Sequence, residues 1–329
     1  MSRLNFTDRP ILVIGDVILD EWVNGISSRL SPEAAVPVIS VHESSIAYSL
    51  GGAANVAANI KSLGGNPVLI GVLGSENRAF EVHRLMKNAG IGTSGLLHVP
   101  DRPTTIKTRV IANGHQVARI DRETAEPITD ETYSSTIRYI EKAMPGSAAV
   151  VISDYAKGVI SYELVRRVTE LARVKNTPVF VDPKVQHRDW YKFNGITAMT
   201  PNYQEALGLT DACSDTAIDE IGFCLLRQYI HYYSLVTLGE RGMHLFYSNR
   251  VIFGENTDRY SSSHLPSVAV RVFDVSGAGD TVIAALTLAY TSGYSFGESA
   301  KLANAAAGVV VGKHGTATVT RQELEAVIS

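Results

Sequence analysis

Near the C-terminus, the segment Asp274-Val-Ser-Gly-Ala-Gly-Asp280 runs directly into an apolar stretch with helical character over 281–290. The small residues Gly277, Ala278 and Gly279 let the backbone approach a ligand and turn successive N–H groups towards it. The positive end of the following helix adds to that field, which suits an anion such as a phosphoryl group in transfer. Asp280 would set a second negative charge beside the anion. It makes chemical sense there as a base that takes the proton of an attacking hydroxyl. An N-cap on a glycine-rich turn explains the same aspartate, and the segment alone favours neither account.

Other polar groups suit a sugar or a sugar phosphate. Gly51-Gly52-Ala-Ala-Asn55 opens a helix, and the Asn55 amide offers both a donor and an acceptor to hydroxyls. Asp16 and Asp20 follow the first strand and suit vicinal hydroxyls. Taken singly, close packing or a capped turn is the better account of each. Lys107 and Arg109 alternate onto one face of an extended segment, with Arg119 further along. Such cations either clamp an anionic substrate or guard a sheet edge against aggregation; the alternation of Lys107 and Arg109 favours the clamp.

Competing motifs fail on spacing. Gly308-Val-Val-Val-Gly312-Lys313-His314 is one residue short of a P-loop, has His314 where Ser or Thr should hold Mg²⁺, and follows a helix pattern. The first strand–helix turn lacks the GxGxxG of dinucleotide binders, which disfavours an NAD-dependent dehydrogenase. No HExxH helix or zinc-spaced Cys/His cluster occurs, and the GxSxG spelling at Gly293–Gly297 falls between two expected helices and not at the strand–helix turn a nucleophile elbow needs.

The elements that must position these groups alternate as in a βαβ fold with a largely parallel sheet. Strands are expected at 11–14, 68–72, 149–152, 179–181, 198–200 and 235–237. Helices are expected at 53–63, 80–89, 130–143, 162–173, 204–209, 217–229, 280–291, 296–311 and 321–327. Several strands end in polar groups: Asp16 and Asp20, Asp154 and Lys157, Asp182 and Lys184, Asn202 and Glu205, Glu240 and Arg241. Ligands of open parallel sheets sit beyond the carboxyl ends of the strands, so the series predicts a site at that edge. Segments 21–45 and 103–122 break the rhythm with strand-like alternation and are expected to form a small β layer, like a lid.

The 329 residues, 45% hydrophobic, suffice for one large α/β domain or two of medium size. A formal charge of −3 gives no electrostatic case for nucleic acid or an anionic membrane. No apolar run approaches a membrane span, the N-terminus is too polar for a signal peptide, and Cys213 and Cys224 are too few for a disulfide scaffold. A cytoplasmic enzyme is expected.

Together these motifs resemble the ribokinase-like carbohydrate kinases, the PfkB family. Gly51-Gly52-Ala-Ala-Asn55 is similar to the family's N-terminal di-glycine signature, and Asp274–Asp280 to its C-terminal one, which usually reads Asp-Thr-Thr-Gly-Ala-Gly-Asp. Four further segments are Gly15-Asp-Val-Ile-Leu-Asp20, Ser28-Arg-Leu-Ser-Pro-Glu-Ala-Ala-Val-Pro37, Ser153-Asp-Tyr-Ala-Lys-Gly158 and Asn304-Ala-Ala-Ala-Gly-Val-Val-Val-Gly-Lys313. They resemble the kinase portion of bacterial ADP-heptose synthases, which phosphorylates D-glycero-β-D-manno-heptose 7-phosphate at its anomeric hydroxyl for lipopolysaccharide core synthesis. The nucleotidyltransferase domain of the bifunctional members is not expected within these residues.

The resemblance implies a ribokinase-like fold, a sugar-phosphate substrate, ATP and Mg²⁺, and a homodimer paired through the β lid. It makes Asp280 the base and the amides of Gly277, Ala278 and Gly279 an anion hole. Asn202, Tyr203, Gln204 and Glu205 would handle ATP and Mg²⁺, with Glu205 acting through water. Thr237, Gly239 and Gly242 would line ribose and phosphates, and Asn304 and Gly308 the base. Asp16, Gly51, Gly52, Asn55 and Lys157 match sugar-side positions, and Asp274 with the Ser276 carbonyl a monovalent cation site, for K⁺. The chain departs from the pattern at Val275-Ser276, for the usual Thr-Thr, and at Tyr48-Ser49-Leu50, where heptose kinases often carry Arg-Pro. The alternatives are another sugar or nucleoside kinase of this fold, acting on fructose 1-phosphate or ribose for example, and a non-catalytic sugar- or nucleotide-binding regulator.

Overall fold

In the computed structural model, residues 4–193, 195–248, 260–269 and 271–328 are described. Nine strands form one sheet in the order β13-β12-β11-β10-β9-β8-β1-β4-β5. Its parallel part comprises β1 (Pro10–Gly15), β4 (Asn66–Leu73), β5 (Leu96–His98), β8 (Ala149–Ser153), β9 (Val179–Asp182), β10 (Ala198–Met199) and β11 (Tyr233–Thr237). An antiparallel hairpin edge, β12 (Met243–Ser248) and β13 (Tyr260–Leu265), completes it.

The central strands read as unbroken apolar runs because helices cover both faces. In β1, Ile11 and Val13 join one core with α1 (Ala53–Ser62), α7 (Ala278–Thr291), α8 (Phe296–Val310) and α9 (Arg321–Ile328). Leu12 and Ile14 join the other, built on α3 (Asp130–Ala143), α4 (Tyr162–Lys175), α5 (Tyr203–Thr210) and α6 (Ile218–Tyr229). Helix α2 (Asn77–Asn88) sends Val82 and Met86 into the first core. Each large aliphatic side chain buried in this way contributes roughly 1.5–3 kcal/mol. From β1 the chain proceeds outward through β4 and β5, whereas β8 to β11 advance on the opposite side. The loops after β1 and β8 therefore diverge between Gly15 and Ser153, which pair across the strands. Such a reversal opens a ligand crevice at the carboxyl ends.

The two rhythm-breaking segments form a separate four-stranded sheet, ordered β3-β2-β6-β7. Its strands are longer than expected: β2 (Val17–Leu30), β3 (Pro37–Gly52), β6 (Thr105–Ala112) and β7 (His115–Arg122). The β2 strand begins buried in the body of the molecule and ends exposed, with irregular pairing to β3 at Val23/Gly25 and Ser27/Arg29. Two glycines bring β3 into α1. Gly52 has φ 56°, and a Cβ there would lie 2.5 Å from the Asp16 carbonyl oxygen. A Cβ at Gly51 would lie 2.4 Å from Asp20 Oδ2, so the di-glycine makes room for a turn and a carboxylate.

Helix and strand positions follow the expected rhythm with two corrections. The short β5 and the β12–β13 hairpin were not anticipated: Tyr-Ser-Ser-Ser-His-Leu over β13 carries little apolar alternation, and backbone pairing at the sheet edge makes it a strand. Helix α7 starts at Ala278 with Gly277 as its N-cap, so Asp280 lies inside the first turn and is not the cap. No helix among the described residues is long and apolar enough to cross a membrane.

Candidate active site

Two cavities meet beyond the carboxyl ends of the strands. The larger, about 790 Å³, is bounded by Asp182 and Lys184 at the end of β9 and just beyond it, Asn202, Tyr203, Gln204 and Glu205 at the start of α5, and Thr237, Gly239 and Gly242 at the end of β11 and beyond it. Asn304, Ala307 and Gly308 on α8 and Val275, Ala278 and Gly279 before and within α7 close its far side. The smaller, about 100 Å³, is lined by Asp20 and Gly52, Lys107 and Arg109 of β6, and Gly277, Asp280 and Thr316. Tyr155 borders both. The 277–280 turn is the remaining partition, with Gly277 and Asp280 on one side and Ala278 and Gly279 on the other.

Asp280 is 2% exposed and held from two sides. Asn55 Nδ2 donates to its Oδ2 at 2.8 Å, and the Tyr155 hydroxyl donates to its Oδ1 at 2.7 Å. Burial pushes its pKa up to about 6, against the pull of these two donors; Asp20 adds to the rise and Lys107 opposes it. A base with that value is ionised at neutral pH yet basic enough to take a proton. Burial, reinforced by Asp280, pushes the Tyr155 hydroxyl well up, so it remains a neutral donor. Gly277 supplies the turn with φ 77°; a Cβ there would strike Asn55 Nδ2 at 2.5 Å and Thr316 Cγ2 at 2.7 Å. The Ala278 amide turns back to the Val275 carbonyl at 3.2 Å. A Cβ on Gly279 would meet nothing within 4 Å, leaving room there for a ligand.

In the small cavity, Arg109 Nη1 lies 2.6 Å from Asp20 Oδ1, and Thr316 Oγ1 donates to Asp20 Oδ2 at 2.8 Å. The Arg109 guanidinium also lies over the Trp22 ring, 5.1 Å from its centroid. Burial pulls the Lys107 ammonium pKa down, partly offset by Asp20. In the large cavity, Asn202 and Glu205 form a capping box at the start of α5. Lys184 Nζ pairs with Glu205 Oε1 at 2.5 Å. Burial opposes the Lys184 charge, but Glu205 outweighs it and holds the ammonium above its ordinary pKa. Burial first, then Glu205 and Asp280, push the Asp182 carboxyl well up.

Residues 11–323 match the sequence profile of the pfkB family carbohydrate kinases. The chain belongs to that family. It is a phosphotransferase acting on an alcohol group, with the family's ribokinase-like fold. Among curated relatives, the bifunctional protein HldE of Trichlorobacter lovleyi is 39% identical over 328 residues, covering 97% of this chain and 62% of its own length. That of Caulobacter vibrioides is 40% identical, covering 98% and 64%. The chain thus spans less than two thirds of these relatives. Among solved structures, Arabidopsis thaliana ribokinase complexed with ribose and ATP aligns with TM-score 0.74 at 21% identity, covering 98% of this chain and 99% of the other. Escherichia coli phosphofructokinase-2 aligns with TM-score 0.76 at 16% identity, covering 98% of both chains.

Several sugar-side expectations land differently in this kinase. Asp16 lines neither of these two cavities: its oxygens accept the amides of Tyr155, Lys157 and Val159 at 2.9, 3.1 and 3.1 Å, which makes it a staple for the loop after β8. Lys157 turns away and pairs with Glu123 at 2.7 Å. Asn55 reaches Asp280, and Gly51 borders Asp20. Asp274 accepts the Ser276 and Gly315 amides at 2.8 and 3.1 Å; burial works against its charge, and these bonds outweigh it and keep the carboxyl below its ordinary value. Asn304 Nδ2 donates to the Pro266 carbonyl at 2.7 Å beside the large cavity. Lys313 of the rejected P-loop bonds the Thr318 carbonyl and Glu323, both at 2.7 Å.

Tyr155, Asp182, Lys184 and Thr316 were not singled out as site residues. The strand-end positions of Asp182 and Lys184 carried a signal; nothing local marks Thr316, which arrives from a C-terminal loop. Tyr48 points to the other face of the small sheet, where Arg78 Nη1 donates to its hydroxyl at 2.7 Å and pairs with Glu21 at 2.8 Å. The Tyr48-Ser49-Leu50 departure contributes no residue to the lining of the small cavity.

Proposed function

We propose that the chain transfers the γ-phosphoryl group of ATP to the anomeric hydroxyl of D-glycero-β-D-manno-heptose 7-phosphate, giving the 1,7-bisphosphate. The observation that carries the reaction is the buried, doubly hydrogen-bonded Asp280 at the partition between a large and a small cavity. The heptose assignment is supported by the segments shared with ADP-heptose synthase kinases and by the match of nearly this whole chain to part of the HldE proteins.

The large cavity has the size and bare glycine floor a nucleoside triphosphate needs, and Lys184 is a cation on its wall. Among the described residues no cluster of three or more His, Cys, Asp or Glu could hold a metal ion. That suits Mg²⁺, which keeps several waters and relies on phosphate oxygens; Glu205, acting through water, would be its protein contact. The bound ion would neutralise phosphate charge. For a monovalent cation, Asp274 remains anionic and the Ser276 carbonyl is adjacent.

In the small cavity, Lys107 and Arg109 give the charge expected for a sugar phosphate. Asp280 takes the hydroxyl proton as the sugar oxygen bonds to the γ-phosphorus and the bond to ADP breaks. With the Ala278 amide taken by the Val275 carbonyl, the Gly279 and Asp280 amides at the start of α7 would face the transferring group, where dipole and N–H donors stabilise developing negative charge. The small sheet acts as a lid that excludes water and so limits ATP hydrolysis. Its outer residues Ile26 and Leu30, 68% and 67% exposed, support pairing of two lids in a homodimer. Light scattering of the chain and an Ile26→Asp/Leu30→Asp variant tests that pairing; a wild-type monomer rejects it.

The decisive experiment measures ADP release with heptose 7-phosphate, fructose 1-phosphate, ribose and fructose 6-phosphate. The proposal requires the highest kcat/KM with heptose 7-phosphate. Preference for another sugar reassigns the substrate, and no turnover with any favours a binding regulator.

A further inference from the structure

Tyr155 borders both cavities, yet neither signature motif contains it. Its hydroxyl bonds Asp280 Oδ1 at 2.7 Å. Its ring lies beneath two ammonium groups: Lys107 of the small cavity at 5.2 Å from the centroid and Lys184 of the large cavity at 5.3 Å. We propose that Tyr155 is a positioning residue for phosphoryl transfer: its hydroxyl orients Asp280 as the base, and its ring sets the lysines of the two cavities at one partition. This rests on the kinase reading above.

Two buried carboxylates support the assignment, because they are spent on fixing this one loop. Asp16 accepts three of the loop's amides, that of Tyr155 included. Asp154, fully buried, accepts the Ala156 amide at 2.7 Å, bonds His187 Nδ1 at 2.7 Å and accepts the Tyr191 hydroxyl. Ala156 is held at φ 54°, a conformation rare for a residue with a side chain and retained only where surroundings over-determine it. Holding two carboxylates out of water is costly. A loop that merely connected β8 to α4 would need neither. What these bonds secure is the place of the residue between them.

The ring and the hydroxyl do separable work. Asp280 faces Lys107 from β6, Asp20 from β2, Asp182 from β9 and the Asn55 amide from α1. Of its two direct hydrogen-bond donors, only Tyr155 is also in contact with both cavities. A hydrogen bond to the ionised form lowers a carboxyl pKa, so its removal raises the pKa by about one unit. The ring acts on the cations without touching that proton.

The test compares Tyr155→Phe, which keeps the ring, with Tyr155→Leu, which keeps neither group. With Phe, the acidic limb of kcat should move up by about one pH unit from its midpoint near 6. At pH 6 turnover should fall about fivefold relative to wild type, and both KM values should hold. With Leu, KM for ATP and for the sugar phosphate should each rise a further threefold or so. An unmoved midpoint in Phe overturns the hydroxyl role, and a Leu variant kinetically identical to Phe overturns the ring role. The same midpoint is read without substrate by NMR titration of ¹³C-labelled aspartate carboxyls, with Asp280 assigned by its loss in Asp280→Asn. If wild type phosphorylates no sugar but the Asp280 resonance shifts in Phe, the kinase reading fails while the contact stands. If it turns over normally and the resonance does not move, the inference fails alone.

Discussion

The two cavities differ in size and in how densely charge is packed into them. The large one is roomy, with glycines at 239, 242, 279 and 308 leaving space between larger side chains such as Tyr203, Leu238 and Met243, and with one ion pair, Lys184 to Glu205, on its wall. The small one is crowded with charge that is already paired, Arg109 to Asp20 and Thr316 to Asp20, and Asp280 is fastened by Asn55 and Tyr155. In the proposed assignment, the large cavity takes a nucleotide, recognised largely by shape and by amides, and so needs room. The small one takes a sugar phosphate, recognised by directional polar contacts, and so needs groups held in place before the ligand arrives. Pre-organisation of this kind lowers the cost of ordering the complex.

Substitutions that strike one side should separate the two. The largest effect belongs to the partition itself: Asp280→Asn should lower kcat by about 10³-fold, within the range for loss of a general base. ATP affinity, measured by calorimetry, should stay within about threefold, because Asp280 does not line the large cavity. Near-wild-type turnover in that variant would remove Asp280 from the base role. Next, Arg109→Ala leaves Asp20 without its guanidinium partner and should raise the sugar-phosphate KM about 30-fold, with ATP KM nearly constant. Last, Lys184→Ala should do the converse, raising ATP KM about tenfold and sparing the sugar phosphate. If Arg109→Ala and Lys184→Ala shift the same KM, the division of labour between the cavities is wrong.

The same contrast explains what the sequence disclosed. The large cavity was legible because close backbone approach demands small residues at fixed spacing, as at Ala278 and Gly279, and because Asn202 and Glu205 form one local capping box. The parallel core was legible from its unbroken apolar runs. The acceptor side depends on residues that meet only through tertiary structure: Asp20, Arg109 and Thr316 come from two strands and a C-terminal loop. Lys107 and Arg109 were found because period-two alternation survives in one strand. Asp16 was not legible in the same way, because a lone aspartate after a strand carries no sign that its own chain's amides at Tyr155, Lys157 and Val159 will bond it. The β12–β13 edge escaped notice because Ser-rich Tyr260–Leu265 is recruited by backbone pairing alone.

Strand β2 has a mechanical consequence. Its 14 residues, about 45 Å end to end at ordinary strand rise, form one beam rooted in the body and projecting beyond it. Asp20 sits near the root, beside the acceptor cavity, and Ile26 and Leu30 near the tip. Load applied at the tip is therefore carried by continuous backbone to the neighbourhood of a carboxylate that grips Arg109 and Thr316. The irregular pairing at Val23/Gly25 and Ser27/Arg29 supplies compliance along the outer half of this lever, while the root stays stiff in the core.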